Sequence, residues 1–235
     1  MPVEIISMLV VAFAVLYFFS AATIAIGELR IRPHILLREL PMVSVILCAR
    51  NEESNLPRCL DGLSALDYPH NKLEINLIDD ESSDRTLEIF QEYAGRDSRF
   101  RVFTTKEEPR SLIGKQRPLN MGVRESTGLI VCVTDADIAV PKDWVKAHVA
   151  AYRGNVGVAG GVTRIDPCGR GLFARLQAAD LISKIAVAMG FAGLGLPLTI
   201  MGNNISFLRE AYDATGGFEK MRPRIVEDLA LMNAR

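Results

Sequence analysis

The sequence predicts an α/β protein, in which a doubly wound, mostly parallel sheet carries helices on both faces and follows an N-terminal transmembrane helix. Three observations support this prediction. Continuous apolar runs rich in β-branched residues, typical of strands buried on both faces, alternate with amphipathic helical patterns. The run Ile5–Ile26 contains no charged residue and no proline. Polar clusters directly follow three of the predicted strands.

The uncharged run Ile5–Ile26 is long enough to cross a bilayer core of about 30 Å at about 1.5 Å per residue. A cleaved signal peptide is the alternative, but Glu4 precedes the run without any Lys or Arg. Arg30, Arg32 and Arg38 follow it, so the positive-inside rule predicts that the rest of the chain is cytoplasmic. We therefore expect a membrane anchor (1–28), a juxtamembrane linker (29–41) and a globular domain (42–235).

Four strands are predicted in the first part of the globular domain. The first and fourth are continuous runs rich in apolar residues, the second and third are short segments that also contain charged or polar residues, and helical patterns separate the first three. This β-α-β-α-β alternation is typical of a doubly wound sheet. The predicted strands are Val43–Cys48, Leu73–Ile78, Phe100–Phe103 and Leu129–Thr134.

Helices are predicted from apolar spacing and from capping residues. Leu56, Leu60, Leu63 and Leu66 recur at helical spacing after the first strand. The second helix is predicted to be capped by Ser82, Ser83 and Asp84. Further along, the pattern predicts a helix over Trp144–Tyr152, a strand over Val156–Ile165 and a long helix over Leu172–Met189.

The long helix has two interpretations. Its apolar face comprises Leu176, Ala179, Ile182, Ala186 and Met189. Packing of this face in the protein core is the favoured interpretation. An amphipathic element on a membrane surface is the alternative.

Composition and short motifs exclude several classes of function. With 27 Lys+Arg, 28 Asp+Glu and a formal net charge of -1, the chain lacks the electrostatic attraction on which nucleic-acid binding depends. The four cysteines have no CxxC spacing, so neither a zinc site nor a disulfide framework is indicated. The sequence has no GxGxxG after the first strand, which argues against a dehydrogenase, and it has no P-loop.

Polar residues cluster at the ends of three predicted strands, where ligands bind in open α/β sheets. The clusters are Arg50-Asn51-Glu52, Asp79-Asp80 and Asp135-Ala136-Asp137. Paired carboxylates can hold a divalent cation that bridges a diphosphate. Helix capping and chance occurrence are the simpler alternatives. A nucleophile loop of the haloacid-dehalogenase type is a third, although Ala139 stands where that loop has Thr or Val.

These clusters belong to a set of motifs that resembles a known family. The set resembles the membrane-associated, inverting glycosyltransferases of family 2, the group of cellulose, hyaluronan and poly-N-acetylglucosamine synthases. That resemblance implies the GT-A fold, which is Rossmann-like. The motifs occur in family order as VSVILCARNEE (43–53), LIDDESSD (77–84), GKQRPLN (114–120), TDAD (134–137), GNNISFLRE (202–210), GGF (216–218) and VED (226–228).

The resemblance implies a role for each matching residue. On the donor side, Cys48 and Arg50 would flank the nucleobase, with Glu52 beside it, Asp80 accepting from the uracil ring, Lys115 near the donor and Asp135 on the ribose or sugar. Asp137 would coordinate Mn²⁺ or Mg²⁺ on the diphosphate. Asp228 matches the catalytic base, while Gly202, Asn203 and Glu227 would lie on the acceptor side.

The function implied is metal-dependent transfer of a sugar from a nucleotide-sugar, a UDP-sugar, to a lipid or polysaccharide acceptor at the cytoplasmic face of the membrane. Val226 replaces the usual Thr before Glu227, and the sequence contains no QxxRW motif. The chain ends at Arg235 inside a predicted helix, which we interpret as a C-terminal truncation. A non-catalytic, nucleotide-binding membrane partner is the alternative function.

Overall fold

The computed structural model describes residues 2–31, 39–107, 112, 114–152 and 156–217. The chain forms two compact units. One comprises Met1–Pro33 and Arg164–Ile200, and the other comprises His34–Thr163 and Met201–Arg235. The second unit contains the sheet. The segment 164–200, which the sequence assigned to the globular domain, thus groups with the N-terminal helix.

The elements follow the predicted order closely. The helices are α1 (Pro2–Arg30), α2 (Leu56–Ser64), α3 (Thr86–Arg96), α4 (Gln116–Glu125), α5 (Trp144–Ala151), α6 (Gly171–Gly193) and α7 (Arg209–Ala214). The strands are β1 (Val43–Ala49), β2 (Leu73–Asp79), β3 (Phe100–Thr104), β4 (Ile130–Asp135), β5 (Val158–Gly160) and β6 (Asn204–Leu208). Short 3₁₀ turns occur at His70–Lys72 and Thr105–Glu107.

The sheet has six strands in the order β3-β2-β1-β4-β6-β5. The first four are mutually parallel, whereas β6 pairs antiparallel with β4, and β5 pairs antiparallel with β6. This arrangement confirms the predicted α/β class and the mostly parallel sheet. Every residue of β2 is buried, including the polar Glu74, Asn76 and Asp79, as in a strand that is covered on both faces.

The predicted leucine spacing of α2 is confirmed. Leu56, Leu60 and Leu63 are fully buried against the sheet, and Leu66 lies just beyond the end of the helix in the same core. Pro57 occupies the first turn, where its missing N–H removes no helical hydrogen bond. The hydrophobic face of this helix supports the carboxyl ends of the strands.

Two features of the sheet differ from the sequence prediction. The strand expected over Val156–Ile165 shortens to Val158–Gly160. Two further backbone bonds extend its pairing with β6, from the N–H of Gly161 to the carbonyl of Asn204 and from the N–H of Leu208 to the carbonyl of Gly157. A Cβ at Gly161 would lie 2.3 Å from Asn204 Oδ1, so the backbone there packs directly on that side chain. Strand β6, which no apolar run predicted, fills the place between β4 and β5.

The unit that contains α1 is built on a close contact between helices. A Cβ at Gly27 would lie 1.9 Å from the carbonyl oxygen of Gly190, and a Cβ at Gly193 would lie 1.9 Å from that of Gly27. Only glycine allows this approach. Helix α1 is long and apolar enough to cross a membrane over Glu4–Arg30, with a mean hydropathy of 2.4.

The core-packing interpretation of α6 is wrong. Leu176, Ala179 and Ile182, on the face that we expected to be buried, are exposed. The buried positions of α6 are instead Ala174, Ile185 and Gly190. The helix approaches α1 through glycines rather than through its larger apolar side chains, and periodicity alone cannot identify which face a neighbouring helix will cover.

A buried carboxylate joins β2 to β1 and to the turn before β4. Glu74 Oε1 accepts from Ser44 Oγ and from the backbone N–H of Thr127, both at 2.6 Å. Its other oxygen accepts from Arg101 Nη1 at 3.1 Å. The N–H of Gly128 donates to Ser44 Oγ at 2.8 Å, which extends the network. These bonds fix the amino ends of the parallel strands.

We predict that Glu74→Ala lowers the free energy of unfolding by about 2–3 kcal/mol, because the buried Ser44 hydroxyl and the backbone N–H of Thr127 lose their acceptor. Urea unfolding of the full chain in detergent, followed by circular dichroism, measures this change. Glu92→Ala is the control: its ion pairs with Arg85 and Arg96 are exposed, and its loss should cost about 0.5 kcal/mol or less. Equal effects of the two substitutions would contradict the prediction.

Candidate active site

The candidate site lies at the carboxyl edge of β1, β2 and β4. In the strand register, Ala49 pairs with Asp79, and Cys48 pairs with Asp135. The three polar clusters that follow these strands therefore meet at one edge of the sheet. This is the edge at which ligands bind in open α/β sheets.

The loop after β1 is hydrogen-bonded to the loop after β2. Asn51 has a φ of 56°, a left-handed conformation that asparagine tolerates better than most residues. Its N–H donates to Ser82 Oγ at 3.1 Å, and its Oδ1 accepts from the N–H of Ser83 at 2.8 Å. The N–H of Glu52 donates to Thr86 Oγ1 at 2.9 Å. The two loops thus form one connected surface.

These contacts change the predicted role of the serines. Ser82 and Ser83 join the two loops instead of capping α3, which begins at Thr86. Asp84 bonds to both segments: its Oδ1 accepts from the N–H of Thr86 at 3.0 Å, and its Oδ2 accepts from the N–H of Glu53 at 3.1 Å. The N-cap position of α3 is Arg85, which makes no side-chain capping bond, so of the three predicted residues only Asp84 bonds to the start of the helix, from one residue before the cap position.

The acidic residues after β2 are compensated by donors that the sequence analysis did not identify. Asp80 Oδ1 accepts from Arg117 Nη2 and from Thr105 Oγ1, both at 2.7 Å. Arg117 Nη1 also donates to Glu81 Oε1 at 3.1 Å. The crowding of carboxylates had indicated a need for such donors. The one sequence feature that could have identified Arg117 as a site residue is its position two residues after Lys115, in the same motif.

Asp135 and Asp137 differ in their surroundings. Lys115 Nζ forms an ion pair with Asp135 Oδ1. Asp137 is exposed, and Ala136 between them is buried in the core. The DxD spacing therefore presents two carboxylates while the middle residue anchors the loop.

The donor set fits a divalent cation that shares its ligands with a diphosphate. The exposed carboxylate of Asp137 supplies the oxygen ligand that Mg²⁺ and Mn²⁺ prefer. No group of three or more His, Cys, Asp or Glu residues that could enclose a metal occurs in the described part of the chain. A cation at Asp137 would therefore need further oxygens from the diphosphate and from water.

Two cysteines lie near the site, Cys59 beside the DxD loop and Cys48 on β1. Cys59 Sγ on α2 donates to the carbonyl of Asp135 at 3.5 Å. Burial, together with the Asp135 and Asp137 carboxylates, raises the pKa of the Cys59 thiol to about 12. The thiol therefore stays protonated and supports the DxD loop as a donor. Cys48 is half-buried on β1.

The residues flanking the first loop have different degrees of exposure. Arg50 is exposed and Glu52 is half-buried. Glu52 Oε2 accepts from Asn55 Nδ2 at 2.8 Å, which holds the Glu52 carboxylate beside the start of α2. The loop thus places the exposed Arg50 side chain and the hydrogen-bonded Glu52 carboxylate next to the end of β1.

The predicted acceptor residues Gly202 and Asn203 precede β6, whose amino end lies beside the carboxyl end of β4. The register pairs Thr134 with Asn204, so Asn203 lies next to the DxD loop. Thr163 Oγ1 donates to Asn203 Oδ1 at 3.1 Å. The structure thus brings these two residues to the same edge as the three polar clusters.

A buried polar network supports the start of β6. Trp144 Nε1 donates to Asn204 Oδ1 at 2.9 Å, and His148 Nε2 lies 2.9 Å from the same oxygen. His148 Nδ1 lies 2.8 Å from Ser206 Oγ, which also accepts from the Tyr152 hydroxyl at 2.8 Å. This geometry places the imidazole proton on Nε2. Asn204 is thereby held by α5 as well as by the sheet.

The remaining predicted residues, Glu227 and Asp228, lie outside the described residues. The Gly216-Gly217 part of the GGF motif is described and follows α7, and both glycines have positive φ. The described site therefore contains the three polar clusters, which include the DxD pair, and the predicted acceptor residues that precede β6.

The chain is similar to known glycosyltransferases. A probable glycosyltransferase of Bacillus subtilis, YdaM, is 32% identical over 186 residues, which is 78% of this chain and 44% of the relative. A beta-monoglucosyldiacylglycerol synthase of Trichormus variabilis is 29% identical over 212 residues, 88% of this chain and 44% of that protein. The chain thus spans under half the length of these two relatives.

A solved structure shares the fold. The mannosyltransferase PcManGT of Pyrobaculum calidifontis, in complex with GDP-Man and Mn²⁺, superposes with a TM-score of 0.67 at 22% identity. The match covers 94% of this chain and 60% of that protein. The family pattern described as "Glycosyl transferase family 2" matches residues 44–216, from β1 to the residues that follow α7. This chain belongs to glycosyl transferase family 2.

Proposed function

We propose that this chain is a metal-dependent, inverting glycosyltransferase that moves a sugar from a UDP-sugar to a lipid or polysaccharide acceptor. The observation that carries the proposal is the meeting of three polar clusters at one sheet edge in a family 2 chain. The loops after β1 and β2 form one side of that edge, and the DxD loop forms the other. This edge offers carboxylates that could hold a divalent cation on a diphosphate, and hydrogen-bonding groups that could bind a nucleobase and a sugar.

In the proposed donor complex, the nucleobase lies between the β1 and β2 loops. Cys48 and Arg50 flank the base with Glu52 beside it, and Asp80 accepts from the N3–H of uracil. Lys115 and Asp135 form an ion pair in the structure, and we assign this pair to the ribose, sugar or diphosphate. The mannosyltransferase neighbour was solved with GDP-Man and Mn²⁺, and we assign an equivalent ion to Asp137.

The proposed reaction is a single displacement at C1 of the donor sugar. Asp228 removes the proton from the acceptor hydroxyl as its oxygen attacks C1, and the bond from C1 to the diphosphate oxygen breaks on the opposite face. One carboxylate base suffices for this inversion. Bound Mn²⁺ or Mg²⁺ supplies neutralisation of the charge that develops on the diphosphate.

The acceptor is proposed to be membrane-bound or growing at the membrane. Helix α1 is long and apolar enough for an anchor, and the relatives include a beta-monoglucosyldiacylglycerol synthase. A Staphylococcus aureus poly-beta-1,6-N-acetyl-D-glucosamine synthase is 31% identical over 128 residues, 54% of this chain and 29% of that protein. We therefore propose a glycolipid or polysaccharide product, a membrane anchor at residues 1–28 and a cytoplasmic catalytic domain.

Donor binding is tested by calorimetric titration of the full chain in detergent with UDP, with and without Mn²⁺. We expect Asp137→Ala to weaken Mn²⁺-dependent binding by at least about tenfold, which corresponds to roughly 1.4 kcal/mol. Asp143→Ala is the control, because that carboxylate precedes α5 outside the DxD motif. A wild-type chain that binds UDP equally well without metal would refute the metal assignment.

The catalytic base is tested by the rate of UDP release from UDP-sugars. We expect Asp228→Asn to reduce kcat by about 100-fold or more while UDP affinity is retained, since a general base typically contributes 10²- to 10⁴-fold. Asp213→Asn, on the exposed surface of α7, is the matched control. Unchanged turnover in Asp228→Asn would instead favour the non-catalytic binding partner.

Orientation is tested with a membrane-impermeant maleimide. Cys168 is exposed, Cys48 is half-buried, and Cys59 and Cys132 are buried, so Cys168 is the expected main labelling site. A cytoplasmic domain predicts labelling in inside-out bacterial membrane vesicles and protection in right-side-out vesicles. Cys168→Ser should remove most of the signal. Labelling confined to right-side-out vesicles would reverse the proposed topology.

A further inference from the structure

We infer that Arg117 is a positioning residue for the donor base: with Thr105 it fixes the Asp80 carboxylate so that one oxygen faces the nucleobase, and it thereby sets the preference for uracil. This inference rests on the proposed function and deepens it, because it assigns donor selectivity to a residue outside the three strand-end clusters. The argument depends on hydrogen bonding, backbone conformation and the location of α4.

The first step is the saturation of one carboxylate oxygen. Asp80 Oδ1 accepts from Arg117 Nη2 and from Thr105 Oγ1, both at 2.7 Å. Arg117 Nη2 also lies 3.0 Å from Thr105 Oγ1, which accepts from it and so has its own proton directed at Asp80. The side chains of Arg117 and Asp80 are only 11% and 15% exposed, so water competes weakly for these bonds.

The second step is the orientation of the other oxygen. Every side-chain hydrogen bond that the structure describes for Asp80 goes to Oδ1, and its backbone N–H is fixed on the carbonyl of Ala49 at 2.9 Å. With main chain and one oxygen fixed, Oδ2 has a defined direction. An ionised carboxylate accepts and cannot donate. It therefore favours uracil, whose N3 carries a proton, over cytosine, whose N3 is an acceptor.

The third step is the turn that follows Asp80. Glu81 has a φ of 56°, a left-handed conformation that is unfavourable for a residue with a Cβ. Arg117 Nη1 donates to Glu81 Oε1 at 3.1 Å, so the same guanidinium binds both adjacent acidic residues. The Asp80 hydrogen bond raises the pKa of Arg117 above its usual value, and the cation therefore persists at all working pH values.

The fourth step is the location of Arg117 itself. It lies in the first turn of α4, two residues after Lys115, which pairs with Asp135. A Cβ at Gly122 would lie 2.6 Å from Ile46 Cγ2, so α4 packs closely on β1 and has little freedom to move. One rigid helix start therefore supplies a cation to the acidic residues after β2 and another to the DxD loop.

The test compares the affinities of the full chain in detergent for UDP and CDP, each with Mn²⁺. We expect Arg117→Gln to weaken UDP binding by about tenfold and to reduce the UDP/CDP preference, because Asp80 loses its fixed orientation. Arg117→Lys, which keeps the charge but not the two-pronged contact, should restore part of the preference. Arg124→Gln is the matched control, since Arg124 lies on the same helix and is 51% exposed.

A second variant separates orientation from folding. Thr105→Val keeps the shape of a fully buried side chain but removes its donor to Asp80, and it should also lower the UDP/CDP preference. With a UDP-sugar, both variants should raise KM and leave kcat within about twofold. Thermal unfolding reports the stability of each variant independently.

The outcomes are distinct. Loss of UDP preference in Arg117→Gln and Thr105→Val, with Arg124→Gln unchanged, supports the inference. An equal fall in UDP and CDP affinity, or an unchanged preference in both variants, overturns it and leaves the donor site intact. A wild-type chain that binds no UDP overturns the proposed donor and this inference together.

Discussion

The parallel register of β1, β2 and β4 is the constraint on which the candidate site depends. It pairs Ala49 with Asp79 and Cys48 with Asp135, so three loops that are distant in sequence begin at one edge. Side chains alternate between the two faces of a strand. A register slip of one residue would therefore turn every side chain of the slipped strand to the opposite face of the sheet. Glu74 and Ser44 hold that register at the opposite ends of the strands, far from the chemistry.

Charge balance is the second requirement, and α4 meets it. In the proposed donor site, the carboxylates at the sheet edge would serve as oxygen ligands for a metal ion and as hydrogen-bond acceptors. Lys115 and Arg117 at the start of α4 pair with Asp135 and Asp80 in the structure. The same residues that neutralise the site also determine how its carboxylates are directed.

Sequence patterns predicted the elements better than their surfaces. The buried strands and the leucine face of α2 follow from apolar runs and spacing, and the structure confirms them. The exposed face of α6 and the insertion of β6 between β4 and β5 were not predictable, because both depend on which surface meets which neighbour. For the site, the strand-end acidic residues were identified, whereas Thr105 and Arg117 are ordinary polar residues until the fold brings them to Asp80.

The sequence by itself determined the α/β class, the long apolar N-terminal helix and the acidic motifs at strand ends, since each is a local property of composition and periodicity. Only the tertiary structure decided the strand order, the pairing of Arg117 with two adjacent acidic residues and the glycine contact between α1 and α6. Those features join residues that are far apart in the chain. Their energies arise from burial and close approach, which no single stretch of sequence contains.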